Sequence, residues 1–158
     1  MERPRWRFTL NCRIHQRLQF GLEYNPVAKE VGPLLSLFLM TEGENVWRPA
    51  LFLGTSSDRI GSPAGKQGYF VTVSKSLPKL PISVYATLNY SEWNKELGNT
   101  LLNIPFGITV EFGQYLSIRP MYDGDRSHLM LNYFADHYGV SLMYIWLEKA
   151  GISTSVQF

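Results

Sequence analysis

The sequence predicts an all-β fold, an antiparallel up-and-down transmembrane β-barrel of about 10–12 strands in a single domain over residues 1–158. Three observations carry that expectation. Apolar and polar residues alternate along almost the whole chain, the alternating runs are long, and the connections between runs alternate between short and long. A strand turns successive side chains to opposite faces, so period-two alternation gives each run one greasy face and one polar face.

The runs follow in order. Trp6, Phe8, Leu10, Cys12 and Ile14 share a face opposite Arg7, Thr9, Asn11 and Arg13. Leu18, Phe20, Leu22 and Tyr24 oppose Gln19, Gly21, Glu23 and Asn25. Leu35, Leu37 and Leu39 come next, against the less polar Ser36, Phe38 and Met40. Leu51 and Leu53 oppose Gly54 and Ser56, and a further run spans Tyr69 to Lys75.

In the second half the pattern is cleaner. Ile82, Val84, Ala86, Leu88 and Tyr90 oppose Ser83, Tyr85, Thr87, Asn89 and Ser91. A single run from Leu102 to Phe112 sets Ile104, Phe106, Ile108 and Val110 against Asn103, Gly107, Thr109 and Glu111. Leu116, Ile118, Pro120 and Tyr122 oppose Ser117, Arg119, Met121 and Asp123. Leu129, Leu131 and Tyr133 oppose His128 and Asn132; Val140, Leu142, Tyr144 and Trp146 form another face; Ile152, Thr154, Val156 and Phe158 form the last.

These make about eleven strands of roughly seven to eleven residues, nearer the ~9–11 of a tilted membrane-crossing strand than the ~5–6 of soluble proteins. Eleven is odd, whereas single-chain bacterial barrels have even strand numbers, so ten or twelve is the expected count. Pro105 and Pro120 fall inside runs, and each removes a ladder donor, so a bulge or distortion is expected at both. Short connections are expected at Ile14 to Arg17, Glu42 to Trp47, Ser76 to Leu80, Gly113 to Gln114 and Ala135 to Tyr138. Longer ones are expected at Asn25 to Pro33, Ser56 to Gln67, Ser91 to Thr100 and Asp123 to Ser127.

Composition narrows the class. Hydrophobic residues reach 45% and charged residues only 18%, yet no run approaches the ~18 apolar residues of a spanning helix. A net charge of +2, with Lys and Arg scattered, argues against nucleic acid as a partner. Cys12 is the single cysteine, so no intrachain disulfide forms, and no metal-ligand spacing or cofactor motif is present. The opening Met1-Glu2-Arg3-Pro4-Arg5-Trp6 lacks the apolar core of a secretory signal and is read as the start of a mature or trimmed chain.

The final run, Ile152, Thr154, Val156 and Phe158, ends the chain on an aromatic residue after strict alternation. This resembles the C-terminal signature of bacterial outer-membrane β-barrels. The resemblance implies an outer-membrane location, an insertion signal in these residues, and recognition by the outer-membrane assembly machinery. More loosely, Gly21 to Pro26 and Gly54 to Gly61 are similar to segments of uncharacterised bacterial barrels, which carry no named activity.

In a barrel of this kind the apolar faces meet lipid. An aromatic girdle at the headgroup level is expected from Trp6, Tyr24, Trp47, Tyr90, Trp93, Trp146 and Phe158, joined by Tyr69, Tyr115, Tyr122, Tyr133 and Tyr138. The lumen would hold Arg7, Arg13, Glu23, Asp58, Lys75, Glu111, Arg119, Asp123 and His128, paired across a nearly filled interior. The partners expected are the bilayer and lipopolysaccharide, and the role structural, adhesive or that of a narrow pore.

Two rival readings remain. A soluble lipocalin-like barrel would turn the apolar faces inward around a small ligand. An outer-membrane lipid hydrolase would draw on Ser56, Ser57, Asp58 and His128, although Met130 stands where the His-x-Ser pattern of barrel deacylases needs serine.

Overall fold

The computed structural model describes residues 6–26, 29–43, 47–56, 68–91 and 100–157. Its strands are β1 (Phe8–His15), β2 (Leu18–Asn25), β3 (Glu30–Met40), β4 (Ala50–Ser56), β5 (Gly68–Ser76) and β6 (Ile82–Tyr90). They continue as β7 (Leu102–Asn103), β8 (Phe106–Phe112), β9 (Leu116–Tyr122), β10 (Ser127–Phe134), β11 (Tyr138–Ile145) and β12 (Lys149–Val156). There is no helix among the described residues. The strands form one antiparallel up-and-down sheet ordered β1-β2-β3-β4-β5-β6-β8-β9-β10-β11-β12, with β7 also against β6. Sequence neighbours are sheet neighbours, as short connections dictate.

The single run expected from Leu102 to Phe112 is two strands. Ile104 and Pro105 fall outside the ladder, yet Asn89–Asn103 and Tyr90–Leu102 continue the register of Ala86–Phe106. Proline has no N–H to give, so the ladder lapses there without changing register. Pro120 acts more mildly. It stays within β9 opposite Leu129 of β10, while the β8–β9 ladder passes from Gly107–Met121 to Val110–Ile118 in unchanged register. The missing donor is thus on the β8 side, and no bulge forms.

β3 begins at Glu30, so the connection after β2 is residues 26–29 rather than a long loop, while residues 41–49 join β3 to β4. The expected alternation of short and long connections therefore fails over the first four strands. Val31, Gly32 and Pro33 read as turn residues but are paired with Tyr24, Glu23 and Leu22.

By packing, the chain divides into two units. The first comprises Met1–Glu42, Ala50–Val73 and Thr87–Asn103. There, Phe38, Phe52 and Phe70 pack on the face shared with Gly54, Phe38 tilted against Phe52 and Phe52 edge-on to Phe70, with ring centroids 5.5 and 6.2 Å apart. A Cβ on Gly54 would collide with the Leu35 carbonyl oxygen and come within 2.7 Å of the Phe70 ring, so this position needs glycine for close approach. The Thr72 and Thr87 hydroxyls are 2.8 Å apart on the same face.

The second unit comprises Gly43–Pro49, Ser74–Ala86 and Ile104–Phe158. Its strands β8 to β12 are joined by tight turns, residues 113–115, 123–126, 135–137 and 146–148. Gly113 takes φ +67 in the first of these, where a glycine is unstrained. Tyr85 lies across Gly107, its cross-strand partner.

Candidate functional site

Two adjacent rows of side chains dominate the second unit. Ile82, Val110, Ile118, Leu131, Leu142 and Ile152 are successive cross-strand partners from β6 to β12. One residue along each strand, Glu111, Ser117, Asn132, Ser141 and Ser153 form a parallel row on the opposite face. Over β9 to β11 the polar row is the covered one, while Glu111 and Ser153 at its two ends are exposed; of the apolar row Leu131, Leu142 and Ile152 are exposed and Ile82, Val110 and Ile118 half-buried. Leu131 is 47% exposed, whereas its neighbour Asn132 is 2% exposed. Asn132 Nδ2 donates to Ser117 Oγ at 3.2 Å, and Ser117 and Ser141 are buried.

The first unit repeats this inversion. Phe20, Leu22 and Tyr24 are exposed while Gly21 and Glu23 between them are buried. Val71 and Val73 are exposed while Thr72 is buried. In these strands the polar side chains are the covered ones, whereas β1 is exposed along its whole length.

The charged residues expected on the covered face are partly brought together. Arg7 Nη1 lies 3.4 Å from Glu23 Oε2. Arg119 Nε donates to Thr109 Oγ1 at 3.0 Å, and Lys75 Nζ donates to the Gly43 carbonyl at 3.0 Å. Arg13 and Glu111 are exposed, and the described residues give neither an ion-pair partner. Asp58 lies outside the described residues.

Asp123 and His128 do meet, in a cluster that sequence alone did not assemble. Asp123 opens the β9–β10 turn, where its Oδ1 accepts the Asp125 and Arg126 amides at 2.8 Å each. Its Oδ2 is 2.8 Å from His128 Nε2 and accepts the Trp146 indole N–H at 3.3 Å. The Trp146 backbone N–H donates to His128 Nδ1 at 3.4 Å. With Nδ1 accepting, the network assigns the neutral ring's proton to Nε2, which donates to Asp123.

Trp146 and Leu147 both adopt left-handed backbone, φ 56 and 55, a conformation costing about 1 kcal/mol or more for such residues. The cluster holds that strained turn. The Arg126 guanidinium sits 4.6 Å over the Trp146 ring and its Nη1 pairs with Glu148 at 3.3 Å.

Burial alone would raise the Asp123 carboxyl's pKa. The Arg126 amide, His128, the Asp125 amide and Trp146 outweigh burial and hold it below the ordinary carboxylate value. A lowered folded-state pKa contributes stability above the unfolded value that is lost as pH falls through the folded one. Amide exchange at Asp125 and Arg126 is therefore expected to accelerate as pH drops below about 4, once the intrinsic rate is divided out. Asp123→Asn should abolish that pH dependence.

Aromatic residues collect at both ends of the second unit's strands. Tyr115, Tyr133 and Tyr138 form an exposed row with centroids 6.0 Å apart at each step. Phe106 and Tyr122 pair at 5.4 Å at the other end. The strand from Leu116 to Tyr122 separates the two sets by about 20 Å at ~3.3 Å per residue. Of the girdle candidates, Trp6, Tyr24, Trp47 and Tyr90 are exposed. Trp146 is in the turn cluster, and Trp93 and Phe158 lie outside the described residues. Ile152, Thr154 and Val156 are exposed along β12, paired with Leu142, Val140 and Tyr138.

For a nucleophile–base pair the geometry is unfavourable. Both ring nitrogens of His128 are engaged, by Asp123 and by the Trp146 amide, so neither faces a hydroxyl. Ser57 lies outside the described residues, and Ser56 ends β4. His15 Nδ1 accepts the Arg17 amide at 3.2 Å in the β1–β2 turn. No group of His, Cys, Asp and Glu suited to a metal ion occurs among the described residues. Comparison with protein-family models, curated proteins and solved structures finds no match.

Proposed function

We propose that this chain is an integral β-barrel protein of a bacterial outer membrane, with a structural, adhesive or narrow-pore role rather than a catalytic one. The observation that carries the reading is the inverted burial of the two sheet faces. Ile104 and Ile108, 60% and 44% exposed, stand out from the sheet while Thr109 is covered. Lipid is the solvent that rewards such a surface, and contiguous apolar faces this large are rare on soluble monomers. A lipocalin-like ligand binder needs the opposite arrangement, with the apolar row lining a central cavity.

In this reading the partners are acyl chains along the apolar row and lipopolysaccharide at the polar turns. Tyrosines near the strand ends suit the headgroup level, where a ring is partly dry and its hydroxyl wet. The exposed last strand, with Ile152, Thr154 and Val156 outward, is what the outer-membrane assembly machinery would read. The Phe38–Phe52–Phe70 cluster favours a filled interior over an open pore.

Polarity-sensitive labels at Val84 and Ser83, adjacent residues on opposite faces, test the reading in reconstituted vesicles. The expected result is quenching of the Val84 label by lipid-borne quenchers and protection of the Ser83 label. Bulk-water spectra at both positions, or a monodisperse protein without detergent, would overturn it.

A further inference from the structure

We infer that His128 is a proton-operated latch on the β11–β12 turn: the neutral ring holds the turn closed through the Trp146 backbone amide, and protonation releases it. His128 is the second residue of β10, and only 14% of its side chain is exposed. Its ring is gripped at both nitrogens. Nε2 lies 2.8 Å from Asp123 Oδ2, and Nδ1 accepts the Trp146 N–H at 3.4 Å. Nδ1 accepts only while it carries no proton. An imidazolium has an N–H at both positions, so protonation sets one donor against another at the Trp146 amide.

Asp123 decides which side gives way. Its carboxylate is fixed by the Asp125 and Arg126 amides at 2.8 Å each, and its bond to Nε2 strengthens when the ring gains charge. The charged ring therefore stays and the turn moves. Trp146 and Leu147 are poised for that, with consecutive left-handed φ of 56 and 55. The turn keeps the Glu148 amide on the Ile145 carbonyl at 3.0 Å, the Trp146 indole N–H on Asp123 at 3.3 Å and the Arg126 guanidinium over the ring, so the release is local. His15 makes the contrast. Its Nδ1 also accepts a turn amide, from Arg17 at 3.2 Å, but that ring is exposed, so its protonation requires no backbone movement.

Histidine is the side chain that changes charge between pH 5 and 8, so the latch works within that span. The charged groups around it sit on β9 and the two turns. β9 carries Arg119, opposite Met130 on the same face; Asp123, Asp125 and Arg126 form the β9–β10 turn; Glu148 lies in the β11–β12 turn, with Lys149 at the start of β12. On β11, Tyr144 pairs with Leu129 and so lies on the other face. Among the described residues, Asp123 is the one charged group that bonds the ring. The latch sits at a strand end and does not depend on which solvent the apolar row meets.

The full chain, isotope-labelled and folded in detergent micelles, is titrated from pH 8 to 5 while amide exchange and the His128 ring resonances are followed by NMR. The expected result is a loss of about fivefold in protection of the Trp146 amide, once the intrinsic rate is divided out, in step with protonation of the ring; that is the worth of one hydrogen bond. His128→Asn places an uncharged amide oxygen near the Nδ1 position and should keep Trp146 protected throughout the range. Protection that stays level across the titration, or that falls equally in His128→Asn, would overturn the inference. So would a loss that begins only in the range where carboxylates titrate, which would belong to Asp123. The titration of the unaltered chain decides by itself if the variant misfolds.

Discussion

Arginine in place of Leu131 is expected to cost about 2–4 kcal/mol of folding stability in vesicles, read as a fall in the urea midpoint. Leu131 sits mid-strand in β10 between Ile118 and Leu142, at the centre of the exposed apolar row. If that row meets acyl chains, a guanidinium there is stranded near the bilayer midplane. If it meets water, the same change on an exposed strand residue costs within about 0.5 kcal/mol and improves solubility. The two outcomes differ severalfold, so the substitution decides which solvent this face was built for. Leu147→Arg, in an exposed turn, is the control, expected to be near neutral in either solvent.

The second large effect is expected at Gly54. Valine there would press its Cβ against the Leu35 carbonyl and the Phe70 ring, and should cost about 3 kcal/mol. The ring can move, but the carbonyl belongs to a paired strand and cannot. Phe70→Leu in the same chain is therefore expected to recover only part of the loss, measured as a non-additive double-mutant cycle. Full recovery would mean that the aromatic ring alone defines the space above Gly54.

The strands were legible because one rule, alternation, acts on every residue of a two-faced sheet. Alternation persists through Ile104 and Pro105, so Leu102 to Phe112 reads as one run although Pro105 divides it into β7 and β8. The rule failed where residue identity conflicts with position. Gly32 and Pro33 look like a turn but extend β3, because Pro33 stays paired with Leu22 across the ladder. Trp146 looks like the fourth step of the run from Val140 but is the first residue of a left-handed turn that ordinarily takes glycine or asparagine. Its compensations come from Asp123 and Arg126 in the turn before β10 and from His128 within β10, and no local pattern encodes that distance. Alternation assigns a charge to a face but not to a partner: Arg7 and Glu23 pair, whereas Arg13 and Glu111 are exposed.

The lapse at Ile104 and Pro105 has a practical consequence. It leaves Thr87 and Leu88 of β6 without ladder partners on that side, and the division between the two packing units falls at the same place. A cut or an inserted tag between Asn103 and Phe106 would forfeit no existing pairing, unlike one inside any neighbouring strand. Two gene fragments divided there would have to re-form the ladder from Ile82–Val110 to Ala86–Phe106 between them, so β6 against β8 is the seam on which reassembly from separately made halves depends.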